Sequence, residues 1–363
     1  MTVEGEPVLA LRSLEHGPAH CRVTRWSPGD QDDWSALVER TDHANVAHAP
    51  EWFTAIQRAY GHSPVYLQAD KTSGHRAVLP AFLLRSRLFG SVVASMPFLD
   101  GGGPCSTAPD LDHVIVRSLI AEAGRLGAGS VELRSTVKLD LPVPVQKGKF
   151  NLVRPLPKTA DQLWRQLDAK VRNQVRKAER SGLSVEFGHR EVLDDFYDVF
   201  AVNMRDLGSP VHGRQFFASI LDAFGPRVRI ALVRRDRAVI GGLVAIAFGD
   251  TLVVPWASSL RRYFALCPNV LLYWETLSLA CRDGLTRFDF GRSSRDSGTY
   301  RFKRQWGAEE IPLYSYQIPL RSGGERSLSS GDSRGALLVA AWSRLPVGVT
   351  RLLGPRIRRY LTQ

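Results

Sequence analysis

The 363-residue sequence lacks any long apolar run. No stretch reaches the ~18–20 residues that a membrane-crossing helix needs. A secretory leader is not evident either, because the N-terminus carries Glu4 and Glu6 in place of a basic, apolar and small-residue succession. Cysteine is scarce. Cys21, Cys105, Cys267 and Cys281 make no C-x-x-C pair, and no histidine cluster has ligand spacing. That argues against a metal site and for reduced thiols in a cytoplasmic protein. No Ser/His/Asp or Cys/His order stands out, so a covalent nucleophile is not expected. The glycine run at 101–103 lacks the Lys-[Ser/Thr] of a Walker loop, which argues against ATP binding of that kind.

What the sequence has is basic charge and enough apolar residues for two cores. Lysine and arginine total 48 against 36 aspartates and glutamates, a net charge of +12, and 44% of residues are apolar. A chain of this length holds two ordinary domains. The charge fits RNA, a phosphorylated metabolite or an anionic membrane surface as partner, with no DNA expected, or else it reflects solubility alone.

Two strand-and-helix successions follow one another. In the first, 20–27 reads as a strand, 30–41 and 49–60 as helices, and 64–70, 75–84 and 91–96 as strands of a meander. Next comes Met96-Pro-Phe-Leu-Asp-Gly-Gly-Gly-Pro104. Its Gly102 and Gly103 permit tight turns and exposed N–H groups that could hold a phosphate, or the stretch is a plain loop. Residues 110–127 read as a helix, 130–134 as a strand and the proline-broken 139–145 as a linker or crossover. The first domain is therefore placed at 20–150 and the second at 151–320.

The second succession opens with a helix over 161–181, with Leu163, Leu167, Val171, Val175 and Ala178 as a buried stripe. Its other faces carry Arg172, Arg176 and Lys177, either a solvated basic face or a footprint for tRNA or a phosphate-bearing acceptor. Helices at 191–207 and 213–224 flank a polar turn whose Asn203 and Arg205 could line a pocket. Strands follow at 227–234, 238–248 and 251–258, with a bulge or close approach at Gly241-Gly242. A helix from Asn269 to Asp283 and a last strand at 309–319 complete the order. It is that of an acetyltransferase-like α/β fold, a mixed and largely antiparallel sheet flanked by helices, occurring twice and more clearly the second time.

The stretch from Thr286 to Gly307 stands out. Phe288 and Phe290 on one face and Asp289 on the other mark a strand, which Gly291 ends. A polar loop over 291–299 precedes a short helix over 299–306. Arg292, Arg295, Arg301, Lys303 and Arg304 surround the loop, with Asp289 and Asp296 as counter-charges. Such a loop beyond the carboxyl end of a strand is where α/β sheets place ligands, though spacing alone does not separate it from a solvated turn.

Gly298-Thr-Tyr-Arg-Phe-Lys-Arg-Gln-Trp-Gly307, after Phe288-Asp-Phe-Gly291, resembles the closing motif of the FemAB-like family, whose members are two tandem GNAT-like acyltransferase domains. The segment 170–182 resembles that family's basic helix ending in Ala-Glu-x-x-Gly. Asn203-Met-Arg-Asp-Leu-Gly-Ser-Pro210 and Leu266-Cys-Pro-Asn-Val-Leu-Leu-Tyr-Trp-Glu275 resemble the branch found with exosortase and exopolysaccharide systems. The resemblance covers most of 20–320. It implies transfer of an aminoacyl group from aminoacyl-tRNA, as co-substrate and without a cofactor, to an amine on a cell-envelope or polysaccharide precursor. Lys303 occupies the place of the lysine implicated at the reacting centre. The family's similar glycine–proline loop implies Gly102 and Gly103 as a site wall.

In that scheme Lys303 stabilises the oxyanion or the departing ribose oxygen. Asp289 or Asp296 accepts the amine proton, unless Asp289 only holds an arginine. Tyr300 packs or donates a hydrogen bond, and Arg292, Arg295 and Arg301 clamp phosphates. Asn269 opens the helix beside them. A second reading is an acyl-CoA-dependent N-acyltransferase. It is weakened because Ser259-Leu-Arg-Arg-Tyr-Phe-Ala-Leu-Cys-Pro-Asn269 has no glycine where such enzymes carry an Arg/Gln-x-x-Gly-x-Gly/Ala loop. A third is a non-catalytic protein that binds RNA or an assembly. Beyond a Gly/Ser-rich linker at 321–335, residues 336–363 carry apolar side chains and Arg344, Arg351, Arg356, Arg358 and Arg359 without an acid. That tail is either a peripheral contact with an anionic membrane at its inner face or a helix packed on the domain.

Overall fold

The computed structural model describes residues 21–87, 89–295, 297–320 and 333–362, with the backbone alone at 30–32 and 333–336. Residues 1–18, the linker at 321–332 and Asp296 lie outside the described residues. The chain divides into two compact units. One comprises Met1–Lys149, Pro312–Ser327 and Tyr360–Gln363, the other Phe150–Ile311 and Leu328–Arg359.

In the first unit the elements run β1 (Cys21–Arg25), α1 (Gln31–Glu39), α2 (Glu51–Tyr60), β2 (Ser63–Pro64), β3 (Leu67–Lys71), β4 (Arg76–Leu79), β5 (Ala81–Ser86), β6 (Gly90–Ser95), β7 (Cys105–Ser106), α3 (Pro109–Arg125) and β8 (Ser130–Ser135). The strand expected at 75–84 is two strands. Pro80 has no N–H to give a ladder, and the chain leaves the sheet β1-β3-β4-β7 there to enter the sheet that holds β5, β6 and β8. Strands β6 and β8, joined through α3, pair in parallel over only three residues, Val92↔Ser130 to Ala94↔Glu132. The other edge of β8 pairs antiparallel with residues 314–319.

The loop 96–104 lies buried against its own unit. A Cβ on Gly102 would fall 2.5 Å from Met96 Cβ, and one on Gly103 2.7 Å from Ser135 Cβ. These glycines serve packing, which corrects the expectation of N–H groups open to a phosphate. Asn45 Nδ2 donates to Gly101 O at 2.9 Å. His48 Nδ1 accepts from Asn45 N at 3.1 Å, so Nε2 carries the proton and donates to Gly103 O at 3.0 Å.

The second unit continues from the end of β9 (Val145–Pro155) through α4 (Ala160–Gln166), α5 (Ala169–Arg180), β10 (Leu183–Gly188), α6 (Leu193–Asp206), α7 (Arg214–Phe224), β11 (Val228–Arg235), β12 (Ala238–Phe248), β13 (Thr251–Ser259), α8 (Pro268–Arg282), β14 (Arg287–Ser294), α9 (Gly298–Arg304) and the start of β15 (Glu309–Pro319) to α10 (Ser333–Ser343) and α11 (Val347–Arg358). Its strand order is β10-β11-β12-β13-β14-β9. The single helix expected at 161–181 is two helices with extended backbone at Leu167. The apolar stripe survives the break, since Leu163, Leu167, Val171, Val175 and Ala178 are all buried in one core with α8 residues. Each such burial contributes roughly 1.5–3 kcal/mol. Gly241 and Gly242 combine both features expected of them. The β11–β12 register shifts beside them, and a Cβ on Gly241 would meet Ser259 Oγ at 2.4 Å.

Burial lowers the His48 pKa from the ordinary 6.5 to about 4. The sign follows directly: between those values the unfolded chain takes up a proton that the folded one refuses. Stability is therefore fully present above about pH 6.5 and lost toward pH 4, by an amount on the order of 3 kcal/mol. We expect thermal unfolding of His48→Gln to show a shallower loss of stability than wild type between about pH 7 and about pH 5.

Candidate active site

The site begins with a ladder that parts. Strands β13 and β14 pair in parallel only at Thr251↔Arg287, Leu252↔Phe288 and Val253↔Asp289, although both strands run on. Pro255 accounts for one side. The residues Val254 and Pro255 oppose the single Ala245 of β12, a bulge that absorbs a residue without an N–H and re-aims β13 where the pairing ends. Gly291 accounts for the other. Its φ is +74°, and a Cβ there would lie 3.2 Å from Val254 O. The strand was expected to end at Gly291; it is kinked there and continues to Ser294.

Asp289 stands at the last paired position, with Phe288 and Phe290 buried beside it. Its Oδ1 accepts from Gly291 N at 2.7 Å, and Oδ2 from Asn151 Nδ2 at 3.4 Å. Asn151 Oδ1 is itself buried without a hydrogen-bond partner among the described residues. Lys303 comes from α9, whose first turn is capped by Ser297 Oγ accepting from Tyr300 N. The lysine is only 9% exposed. Its ammonium donates to Gly291 O at 3.0 Å and Arg292 O at 2.8 Å, so it grips the backbone just past the kink. Two asparagines reach the far end of β13. Asn203 Nδ2 donates to Ser258 Oγ at 3.0 Å, and Ser259 Oγ donates to Asn269 Oδ1.

Around this run the cations divide. Arg301 is exposed on α9, and Arg292 is half-buried. Arg295 stacks 4.6 Å over the Phe150 ring and donates to Glu310 Oε2 at 2.5 Å, while the Tyr300 hydroxyl donates to Glu310 Oε1. Those two donors hold the Glu310 carboxyl below its usual range. The bond to Glu310 is the largest influence raising the Tyr300 phenol, with a smaller contribution from desolvation. Tyr300 is thus a donor near neutral pH, not a base. Arg172 is turned to the backbone, donating to Leu167 O at 2.5 Å at the break between α4 and α5. Arg176 lies 5.4 Å over the Trp164 ring, and Lys177 is exposed. Arg205 pairs with its neighbour Asp206 at 2.7 Å and belongs to the end of α6. Gly102 and Gly103 belong to the first unit's buried loop.

Sequence reasoning missed Pro255, Asn151 and Glu310. A proline inside an otherwise regular strand run was the available signal for the first. An acidic pair, Glu309-Glu310, directly after a basic helix was the signal for the last. Nothing local marked Asn151.

A mixed sheet whose central parallel pair parts beside a helix N-terminus is the fold of the acetyltransferase type, and residues 165–304 match the model of an acetyltransferase (GNAT) domain. Among solved structures, the chain is similar to FemX, with a TM-score of 0.62 and 13% identity over 81% of this chain and 97% of that one. It is also similar to the C-terminal domain of a putative lysylphosphatidylglycerol synthetase from Agrobacterium fabrum, TM-score 0.52 and 12% identity over 82% and 98%. L-PGS from Bacillus licheniformis gives 0.52 and 11% over 93% and 98%. No curated protein sequence matches the chain.

The Glu310 contact is directly testable. In Glu310→Gln the Tyr300 phenol loses its charged acceptor, so its titration should move down toward the ordinary tyrosine value of 10.0. Ultraviolet phenolate difference spectra, with Tyr300→Phe identifying the signal, check this; an unmoved Tyr300 titration rejects it.

Proposed function

We propose that the chain is an N-acyltransferase of the FemAB type, moving an aminoacyl group from aminoacyl-tRNA to an amine on a cell-envelope or exopolysaccharide precursor. The observation that carries this reading is the parted β13–β14 ladder with Asp289 at its last pair and the Lys303 ammonium seated where β14 bends away. The likeness of the fold to FemX supports this reading.

The amine nitrogen attacks the ester carbonyl, the new C–N bond forms, and the C–O bond to the ribose breaks. The amine proton leaves and the ribose oxygen gains one. Lys303 brings the positive charge that steadies the tetrahedral oxyanion or the departing oxygen. Asp289 takes the amine proton at Oδ2, which Asn151 Nδ2 approaches at 3.4 Å; Asp296 is the alternative acceptor. Tyr300, its hydroxyl already donated to Glu310, packs beside the site, Arg292, Arg295 and Arg301 meet phosphates, and the exposed Arg176 and Lys177 extend the cationic track for tRNA. Asn203 and Asn269 orient the acceptor end. The enzyme works at the inner face of the cytoplasmic membrane; among the described residues no helix is long and apolar enough to cross it.

The matched domain's description, acetyl transfer, favours a second reading with acyl-CoA as donor. Against it, the approach to α8 is a turn over Arg261–Leu266 followed by Cys267 at φ +60°, and Pro268 fills the helix's first position. Proline removes one of the N–H groups that a pyrophosphate would use at a helix start.

Side-by-side assays with charged tRNA and with acyl-CoA separate the donors, and turnover on acyl-CoA alone overturns the tRNA reading. Lys303→Ala should lower product formation by about 10²–10³ while charged-tRNA binding and circular dichroism stay near wild type. An unchanged product yield sinks the assigned role of Lys303.

A further inference from the structure

The C-terminal hairpin is packed the wrong way round for a helix pair that ends in water. Gly354 of α11 lies against the second unit so closely that a Cβ there would meet Val211 N at 2.9 Å. Thr350, one turn earlier, is 1% exposed. The small and polar residues thus face inward. The outward positions of α11, at spacing i, i+3, i+4 and i+7, are Val349, Leu352, Leu353 and Arg356, all exposed. On α10, Leu337 is 71% and Leu338 62% exposed. Leu352 is 61% exposed, so these leucines are more in solvent than out of it. A helix that buries glycine and presents leucine has its apolar face reserved for something else.

The hairpin is nonetheless fixed. Arg351 pairs with Asp198 of α6 and stacks over Tyr197 at 5.5 Å. Arg358 Nε donates to the buried His212 Nε2 at 3.0 Å, which requires a neutral imidazole; burial lowers its pKa well below the ordinary value. A Cβ on Gly208 would lie 2.4 Å from Val339 Cγ1, so α10 is seated on the end of α6, next to the exposed Leu207. Residues 336–363 contain five arginines and no acid.

We propose that the outward faces of α10 and α11 dock on an anionic lipid bilayer, with the leucines in the interfacial region and Arg344 and Arg356 among the headgroups. Charge chooses the occupant. Apolar side chains on helices whose own charges are all guanidinium groups complement an anionic lipid surface, whereas a second copy of the same face would set arginine against arginine. The proposal is independent of the acyl-transfer reading.

Full-length protein is pelleted with vesicles of phosphatidylcholine alone and of phosphatidylcholine with phosphatidylglycerol. We expect at least about tenfold tighter binding to the anionic vesicles, weakened by salt, and about a tenfold loss in Leu352→Gln/Leu353→Gln. Leu352 is 61% and Leu353 39% exposed, so the melting temperature of the double variant should fall only slightly. Transfer to a water-soluble acceptor should also persist in it, which separates a failure here from a failure of the transferase reading. Equal binding to both vesicles, or full binding by the double variant, overturns the proposal. So does a concentration-dependent dimer that the double variant splits, since the face would then belong to a second copy.

Discussion

A buried lysine holding two consecutive backbone carbonyls is the constraint on which the site rests. Parallel strands that have begun to pair tend to go on pairing, because every ladder bond left unmade exposes an N–H or a carbonyl. Here the pairing stops after three residues. On β13 the proline removes a donor. On β14 the carbonyls of Gly291 and Arg292 are turned to the Lys303 ammonium, a partner that satisfies them outside the ladder. A charged donor to a carbonyl is among the stronger hydrogen bonds, about 1.5–3 kcal/mol. The same ammonium is the charge that the proposed reaction assigns to the oxyanion, so one group would both keep the strands apart and serve the chemistry.

The first unit repeats the device and then fills it. Its β6–α3–β8 succession matches β13–α8–β14, down to a parallel ladder of three residue pairs. Beyond those pairs, however, Ser95 Oγ accepts from Arg134 N at 3.0 Å, and Arg134 Nη1 donates to Leu99 O at 2.8 Å. Gly103 then packs on Ser135, and His48 secures the loop from behind. The place where the second unit gathers polar side chains is occupied in the first by its own backbone. The two units thus treat the same parted ladder differently: polar side chains gather there in the second, and the chain's own loop closes over it in the first.

The strands and helices were largely legible because they follow periodicity, and periodicity is local. Residues 228–259 read as three strands and fold as three. The misreadings share a cause. At Leu167 the apolar stripe continues across a break, since the core requires the same face from both helices; the break is possible because Arg172 satisfies the carbonyl that the helix end leaves open. At Pro80 and Gly291 the sequence shows the residue that permits a bend but not which sheet or side chain lies on the other side. In the candidate site, Lys303, Asp289, Tyr300 and Arg295 were singled out through a motif that is contiguous in sequence. Asn151 and Glu310 were not, because they arrive from strands at either end of the unit, and only the fold brings Asn151 to Asp289 and Glu310 to Tyr300.

Charge shows the same limit from another direction. A net charge of +12 suggests anionic partners, yet many of the arginines that make it up are committed within the fold. Arg234 is held between Glu186 and Asp195, Arg287 is paired with Asp250, and Arg172 is bound to a carbonyl. What distinguishes a recognition surface is cation left in solvent without a carboxylate nearby in the sequence to answer it. By that measure the basic helix is a mixed case, with one arginine at a helix break, one on a tryptophan face and a lysine outward. The tail is sorted too, for Arg351 answers Asp198 and Arg358 the buried His212, while Arg344 and Arg356 stay exposed beside leucines that are themselves exposed. An excess of positive charge thus acquires meaning only when burial sorts the guanidinium groups that hold the protein from those that remain for something else.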